Sequence, residues 1–125
     1  MWVYRQSTGV LVRVNGTVTA FIGVGHSGCG AGLNNPAMQA VHGIGPIPCG
    51  VYTIGSPRVP SARPGAPVLP LDPDPSGPMF GRTALFARAD IAATNPKASG
   101  DCVVFKHLIL FQIAASADRH LEVLP

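Results

Sequence analysis

The alternation of apolar and polar side chains from Val10 to Ile22, interrupted at Asn15-Gly16, constrains this chain more than any other feature. Val10-Leu11-Val12-Arg13-Val14 and Thr17-Val18-Thr19-Ala20-Phe21-Ile22 both have the two-residue period of a half-buried strand. Asn-Gly accepts the positive φ that a two-residue hairpin turn demands. The spacing predicts a hairpin turning at Asn15-Gly16. Trp2-Val3-Tyr4-Arg5-Gln6 adds a strand before it, with Ser7-Thr8-Gly9 as the turn between them.

Composition agrees with a β-rich chain. Fifteen glycines, 13 prolines and only 12% charged residues favour short strands and tight turns over helical bundles. The 46% hydrophobic content of 125 residues is enough for one core, so residues 1–125 read as a single domain. Low charge with frequent Val, Ile and Leu argues against disorder. The net charge of +3 comes from scattered Lys and Arg that form no run or stripe, which gives no basis for a nucleic-acid partner. No stretch approaches the roughly 20 apolar residues of a membrane span, and Met1-Trp2-Val3-Tyr4-Arg5 lacks the basic-then-apolar order of a signal peptide. The expectation is a chain made in the cytoplasm, with no transmembrane segment and no classical leader.

The three cysteines, Cys29, Cys49 and Cys102, contain no CxxC pair and give no zinc spacing, so no metal or cofactor is expected. A Cys29–Cys49 disulfide is open in an oxidising compartment.

Beyond the hairpin, glycine recurs too often from Gly23 to Gly45 for a regular element, and a structured loop is expected there. Gly45-Pro46-Ile47-Pro48-Cys49-Gly50 is a turn that delivers the strand Val51-Tyr52-Thr53-Ile54. Residues 56–78 are dense in proline and read as a long surface loop with an extended piece at Val68-Leu69-Pro70-Leu71. Arg82 to Arg88 reads as a strand, and Asp90 to Gly100 as a polar connection. Val103-Val104-Phe105 finishes a buried strand, Phe105 to Ser116 fits a short helix, and Leu121 to Leu124 closes the chain as a strand.

Several separated segments form an ordered set: Gln6-Ser7-Thr8-Gly9, the Asn15-Gly16 hairpin, Ser27-Gly28 through Asn34-Asn35-Pro36-Ala37-Met38-Gln39, and Gly45-Pro46-Ile47-Pro48 with Gly50 and Tyr52-Thr53-Ile54-Gly55. Met79-Phe80-Gly81-Arg82, Ala98-Ser99 before Cys102, and Asp118-Arg119 with Leu121-Glu122-Val123 complete it. Together these segments resemble the type VI secretion L,D-transpeptidase effectors, antibacterial toxins with a YkuD-like catalytic domain. The resemblance implies a mainly β fold, a YkuD-like β-sandwich with one short helix after the catalytic cysteine. It also implies a peptidoglycan stem-peptide substrate, export by the type VI secretion apparatus to the periplasm of a target bacterium, and a cognate immunity protein.

In that family the catalytic pair is a cysteine in a Ser-x-Gly-Cys-like turn and a histidine in an Ile-His-Gly-Asp-like strand end. Cys102 matches the cysteine and Ser99 the serine, while Asp101 replaces the glycine before the cysteine. Aligning Phe86-Ala87-Arg88-Ala89-Asp90 on the strand end puts Arg88 where the histidine stands and Asp90 on the family's aspartate. The resemblance therefore assigns the catalytic turn to Cys102, Arg88, Ser99 and Asp101, and substrate contacts to Asn34, Asn35 and Asp90.

The chemistry of these residues is mixed. A cysteine nucleophile reacts as its thiolate and normally hands its proton to a neighbouring base. A guanidinium favours the thiolate through its charge but cannot accept the proton, and a carboxylate at Asp101 opposes a second negative charge. His26 and His42, in the glycine-rich segment, are the candidate substitute bases. His107 and His120 lie on the expected helix and in the turn before the last strand. Each histidine has an ordinary alternative as a solvent-facing or structurally bonded ring, Cys102 as a buried structural cysteine, and Asn34-Asn35-Pro36 as turn chemistry. Three functions remain open: cysteine acyl transfer on tetrapeptide stems, a catalytically impaired family member that binds peptidoglycan or a protein partner, and a repurposed site in which Arg88 holds a different anionic substrate.

Overall fold

A computed structural model describes residues 1–58, 67–89 and 102–125. In chain order these form β1 (Trp2–Arg5), β2 (Val10–Asn15), β3 (Val18–Val24), β4 (His26–Ser27), β5 (Gly50–Ile54), β6 (Val68–Pro73), β7 (Leu85–Ala89), β8 (Cys102–Phe105), α1 (His107–Ala115) and β9 (His120–Leu124). The strands make one sheet in the order β3-β2-β1-β9-β5-β6-β7-β8-β4. β1 runs parallel to β9 and β7 parallel to β8, and the other pairings are antiparallel.

β3 and β4 stand at opposite ends of this order, yet only Gly25 separates them in the chain. Consecutive Cα atoms are about 3.8 Å apart, so the two ends of the sheet are drawn together at Gly25 and the sheet is nearly closed. Gly9, at φ +73°, crosses Gly25 so tightly that a Cβ on it would lie 2.0 Å from the Gly25 carbonyl oxygen. The Gly25 N–H donates to the Gly9 carbonyl at 2.8 Å. On its other side, a Cβ on Gly25 would meet the Val104 carbonyl at 2.4 Å and the Phe105 ring at 2.5 Å. Glycine is required at this seam because the backbone of one end lies against the strand of the other.

The enclosed face carries the core: Trp2, Tyr4, Leu11, Tyr52, Ile54, Leu69, Leu71, Leu85, Ala87, Val103, Phe105, Leu121 and Val123, joined by Ile109, Leu110 and Ile113 of α1. Trp2 is fully buried, and its indole N–H donates to the Asp118 carbonyl at 3.0 Å. Tyr4 meets Phe105 edge to face with centroids 5.8 Å apart.

The mainly β architecture with one short helix after the cysteine-bearing strand is therefore as expected, while details differ. The hairpin turns at Gly16-Thr17 and not at Asn15-Gly16, because Asn15 pairs with Val18 as the last rung of the ladder. Gly16 holds φ +62°, the position that a type II′ turn reserves for glycine. Within the loop expected from Gly23 to Gly45, His26–Ser27 is a strand, fixed by its pairing to β8. The extended piece at Val68 is an interior strand between β5 and β7, running to Pro73. The strand expected from Arg82 begins only at Leu85, after Ala84 takes φ +56°. The connection from Asp90 to Gly100 lies outside the described residues.

Candidate functional site

Cys102 opens β8 directly opposite Phe86 of β7, and two residues along Val104 stands between Arg88 of β7 and His26 of β4. Leu85, Ala87, Ala89, Val103 and Phe105 belong to the core. The alternation of a strand therefore sends Phe86, Arg88, Cys102, Val104 and His26 to the opposite face. Strand spacing of about 4.8 Å and a rise of about 3.3 Å per residue put Arg88 and His26 each roughly 8 Å from Cys102, backbone to backbone, on its two flanks. That separation can be spanned by a thiol and a longer side chain turned toward each other.

This outer face is also shielded. Cys102 and Arg88 are each 9% exposed and Val104 is 2% exposed, whereas His26 is half-buried. The buried Nε of Arg88 has no hydrogen-bond partner among the described residues. Ser99, Asp101 and Asp90 lie outside the described residues.

Under the thiol's strand lies a buried polar hub. Ser27 is fully buried, and its hydroxyl donates to the Cys102 carbonyl at 2.7 Å while accepting the Ile47 N–H at 2.9 Å. Asn34, at φ +51°, clamps the same residue by accepting the Ser27 N–H at 3.1 Å and donating its own N–H to the Ser27 carbonyl at 2.8 Å. Asn35 accepts the Ala37 N–H at 3.2 Å and donates to the Ala31 carbonyl at 3.1 Å. Both asparagine side chains thus bond to the backbone of their own loop.

Arg82, 2% exposed, places its guanidinium on three loop carbonyls: Gln39 at 2.9 Å, Pro46 at 2.5 Å and Gly45 at 3.1 Å. Gln6, fully buried, donates to the Ile47 carbonyl at 2.8 Å and to the Gln39 amide oxygen at 3.3 Å, and that oxygen also accepts the Cys49 N–H at 2.9 Å. Segments distant in sequence, around Gln6, Gln39, Gly45 to Pro48 and Arg82, therefore form one scaffold. Ser27 joins that scaffold to Cys102. Sequence reading missed Ser27 as a support of the site, and a serine in a glycine-rich loop carries no signal for a contact made 75 residues away.

His42 holds its Nε2 3.3 Å from the Phe80 carbonyl oxygen. The Cys29 thiol donates to the Gly43 carbonyl at 3.2 Å, and Cys29 and Cys49 are not joined in a disulfide. Burial pushes the Cys49 thiol above its ordinary pKa. Among the described residues, no three His, Cys, Asp or Glu side chains gather as metal ligands, and no helix is long and apolar enough to cross a membrane.

The fold defines a mainly β domain with a nearly closed sheet and one helix after a cysteine-bearing strand. It is similar to the solved structure of Bd1075 from Bdellovibrio bacteriovorus, with a TM-score of 0.61 at 13% identity, covering 99% of this chain and 47% of that one. The chain thus spans about half the length of that protein, and the likeness is one of fold. No family model matches the sequence, and a search of the curated proteins finds no match.

Proposed function

We propose that this domain is a cysteine acyl-transfer enzyme of peptidoglycan tetrapeptide stems, acting as an antibacterial type VI secretion effector. The observation that carries the reading is that Cys102 shares one shielded face of the sheet with Arg88 and His26, which flank it diagonally on the two neighbouring strands. The family resemblance supplies the substrate, the export route and the need for an immunity protein.

In the proposed reaction, His26 takes the Cys102 proton and the thiolate attacks the carbonyl carbon of the third stem residue. The bond to the fourth residue's nitrogen breaks, and His26 returns the proton to that leaving amine. Water, or an amine, then attacks the thioester carbonyl and gives up a proton to His26, and the Cys102 sulfur leaves and is reprotonated. Arg88 contributes positive charge that favours the thiolate, a task open to a guanidinium, while the base is the imidazole.

Purified protein incubated with tetrapeptide muropeptides should give the trimmed tripeptide or an exchanged stem by mass spectrometry, and Cys102→Ala should abolish both. Absence of thioester, trimming and exchange would sink the reading. A second reading, a binding domain without turnover, is favoured by the arginine that stands where the family places its histidine. Toxicity retained by Cys102→Ala would select it.

A further inference from the structure

Arg88 is 9% exposed, its Nε is buried without a hydrogen-bond partner among the described residues, and neither ion pair found among those residues includes it. A guanidinium withdrawn from water is costly unless an anion and hydrogen-bond acceptors replace the water. Its fork matches a carboxylate with two parallel N–H···O bonds. Arg88 also shares a face with Cys102 at a diagonal of roughly 8 Å across adjacent strands.

The spacing matters because a residue released by attack at the preceding carbonyl carries its own carboxyl about one residue, or about 3.8 Å, beyond the reacting carbon. A long arginine side chain beside the thiol can meet that group while the thiol addresses the carbonyl. We propose that Arg88 is the receptor for the free α-carboxylate of the residue that Cys102 releases, so that the site accepts only a stem whose last residue is unlinked. The proposal rests on the reading of Cys102 as an acyl-transfer nucleophile. It adds a specificity: a stem whose terminal carboxyl is already in an amide crosslink cannot neutralise the guanidinium.

The test separates binding from turnover. Cys102→Ala protein is titrated by calorimetry with a free tetrapeptide stem and with the same stem as its C-terminal amide. The acid is expected to bind at least tenfold tighter, and Arg88→Gln in that background should bring acid affinity down to that of the amide while leaving amide affinity within twofold. Arg88→Lys, which keeps the charge and the fold but loses the fork, should retain part of the preference, and it serves if the glutamine variant does not fold. Equal binding of acid and amide, no binding of either, or a preference that survives both substitutions would overturn the proposal. If the acid preference holds but the unmutated protein forms no thioester or product, the carboxylate site stands and the acyl-transfer reading falls.

Discussion

The Ser27 hydroxyl donates to the Cys102 carbonyl at 2.7 Å from a position with no solvent exposure, tying a glycine-rich loop to the first residue of the cysteine-bearing strand. The same oxygen accepts the Ile47 N–H at 2.9 Å, so one side chain satisfies a buried acceptor and a buried donor on two other segments. Ser27→Ala strands both. Each lost partner costs roughly 1–3 kcal/mol, so the variant should lose about 2–6 kcal/mol in urea denaturation at an unchanged m-value. A loss below about 0.5 kcal/mol would mean that water replaces the hydroxyl and that Ser27 does not hold the strand.

Closure of the sheet makes a contrasting prediction for two glycines. Gly25→Ala places a methyl 2.4 Å from the Val104 carbonyl and against the Phe105 ring, where backbone and core must both shift. Gly16→Ala instead meets a positive φ, at +62°, but has nothing within 4 Å of the added carbon. The Gly16 variant should pay only the left-handed backbone cost of roughly 1–2 kcal/mol. The Gly25 variant should lose more than about 3 kcal/mol or fail to fold. Thermal melts of the two proteins side by side decide it, and equal losses would show that the seam at Gly25 is looser than its geometry.

Why some of this was legible in the sequence and some was not follows from the range of each interaction. Alternation locates β2 and β3 because it is a local property, the turn residues from Gly45 to Gly50 locate β5, and α1 and β9 fall within two residues of their expected bounds. The hairpin turn shifted by one residue because Asn-Gly is a strong local signal, while the register is settled by Asn15 pairing with Val18 across the ladder. Val68 to Leu71 is legible as an extended piece, but its place as an interior strand is not, since Pro70 and Pro73 argue against one. β4 has only two residues and exists through its pairing with Val103 and Val104. At the site, ordered motifs pointed to Cys102 and Arg88, and His26 was one of two candidate bases. That His26 shares the face of Cys102 depends on the β4–β8 register, which no local pattern encodes.

Two buried tyrosines predict a loss of stability in alkali. Burial pushes the phenols of Tyr4 and Tyr52 well above their ordinary pKa. In the unfolded chain both ionise near pH 10, so above that pH the folded state holds more protons than the unfolded state and stability falls as pH rises. Two such groups give a slope of up to about 2.7 kcal/mol per pH unit. Below the unfolded value the contribution is fully present. The Tyr4 hydroxyl has no hydrogen-bond partner among the described residues, whereas Tyr52 donates to the Pro48 carbonyl at 2.6 Å. Tyr4→Phe should therefore halve the alkaline slope and be neutral or stabilising by up to about 1 kcal/mol at pH 7. Tyr52→Phe should halve the slope but cost stability at pH 7. Denaturant midpoints between pH 7 and 11 give both quantities, and an unchanged slope in Tyr4→Phe would contradict its protonated, buried state.

The charge of Arg88 should be readable in the chemistry of the Cys102 thiol before any substrate is identified. At the roughly 8 Å that separates the two backbones and an effective dielectric of about 20, a guanidinium favours a thiolate by about 2 kcal/mol, or about 30-fold in thiolate population. Alkylation of Cys102 by iodoacetamide at pH 7, followed by peptide mass spectrometry, should thus slow about 30-fold in Arg88→Gln. The two proteins should converge above about pH 10, where both thiols are ionised. Cys49 supplies an internal reference, because burial raises its thiol pKa and labelling there should gain rate only at higher pH in either protein. His26→Ala should leave the pH-7 alkylation rate closer to that of the unmutated protein, since a base that only relays the proton adds no fixed charge, while abolishing stem cleavage. Equal alkylation rates at Cys102 with and without Arg88 across this pH range would show that the guanidinium does not act on the sulfur, whatever it binds.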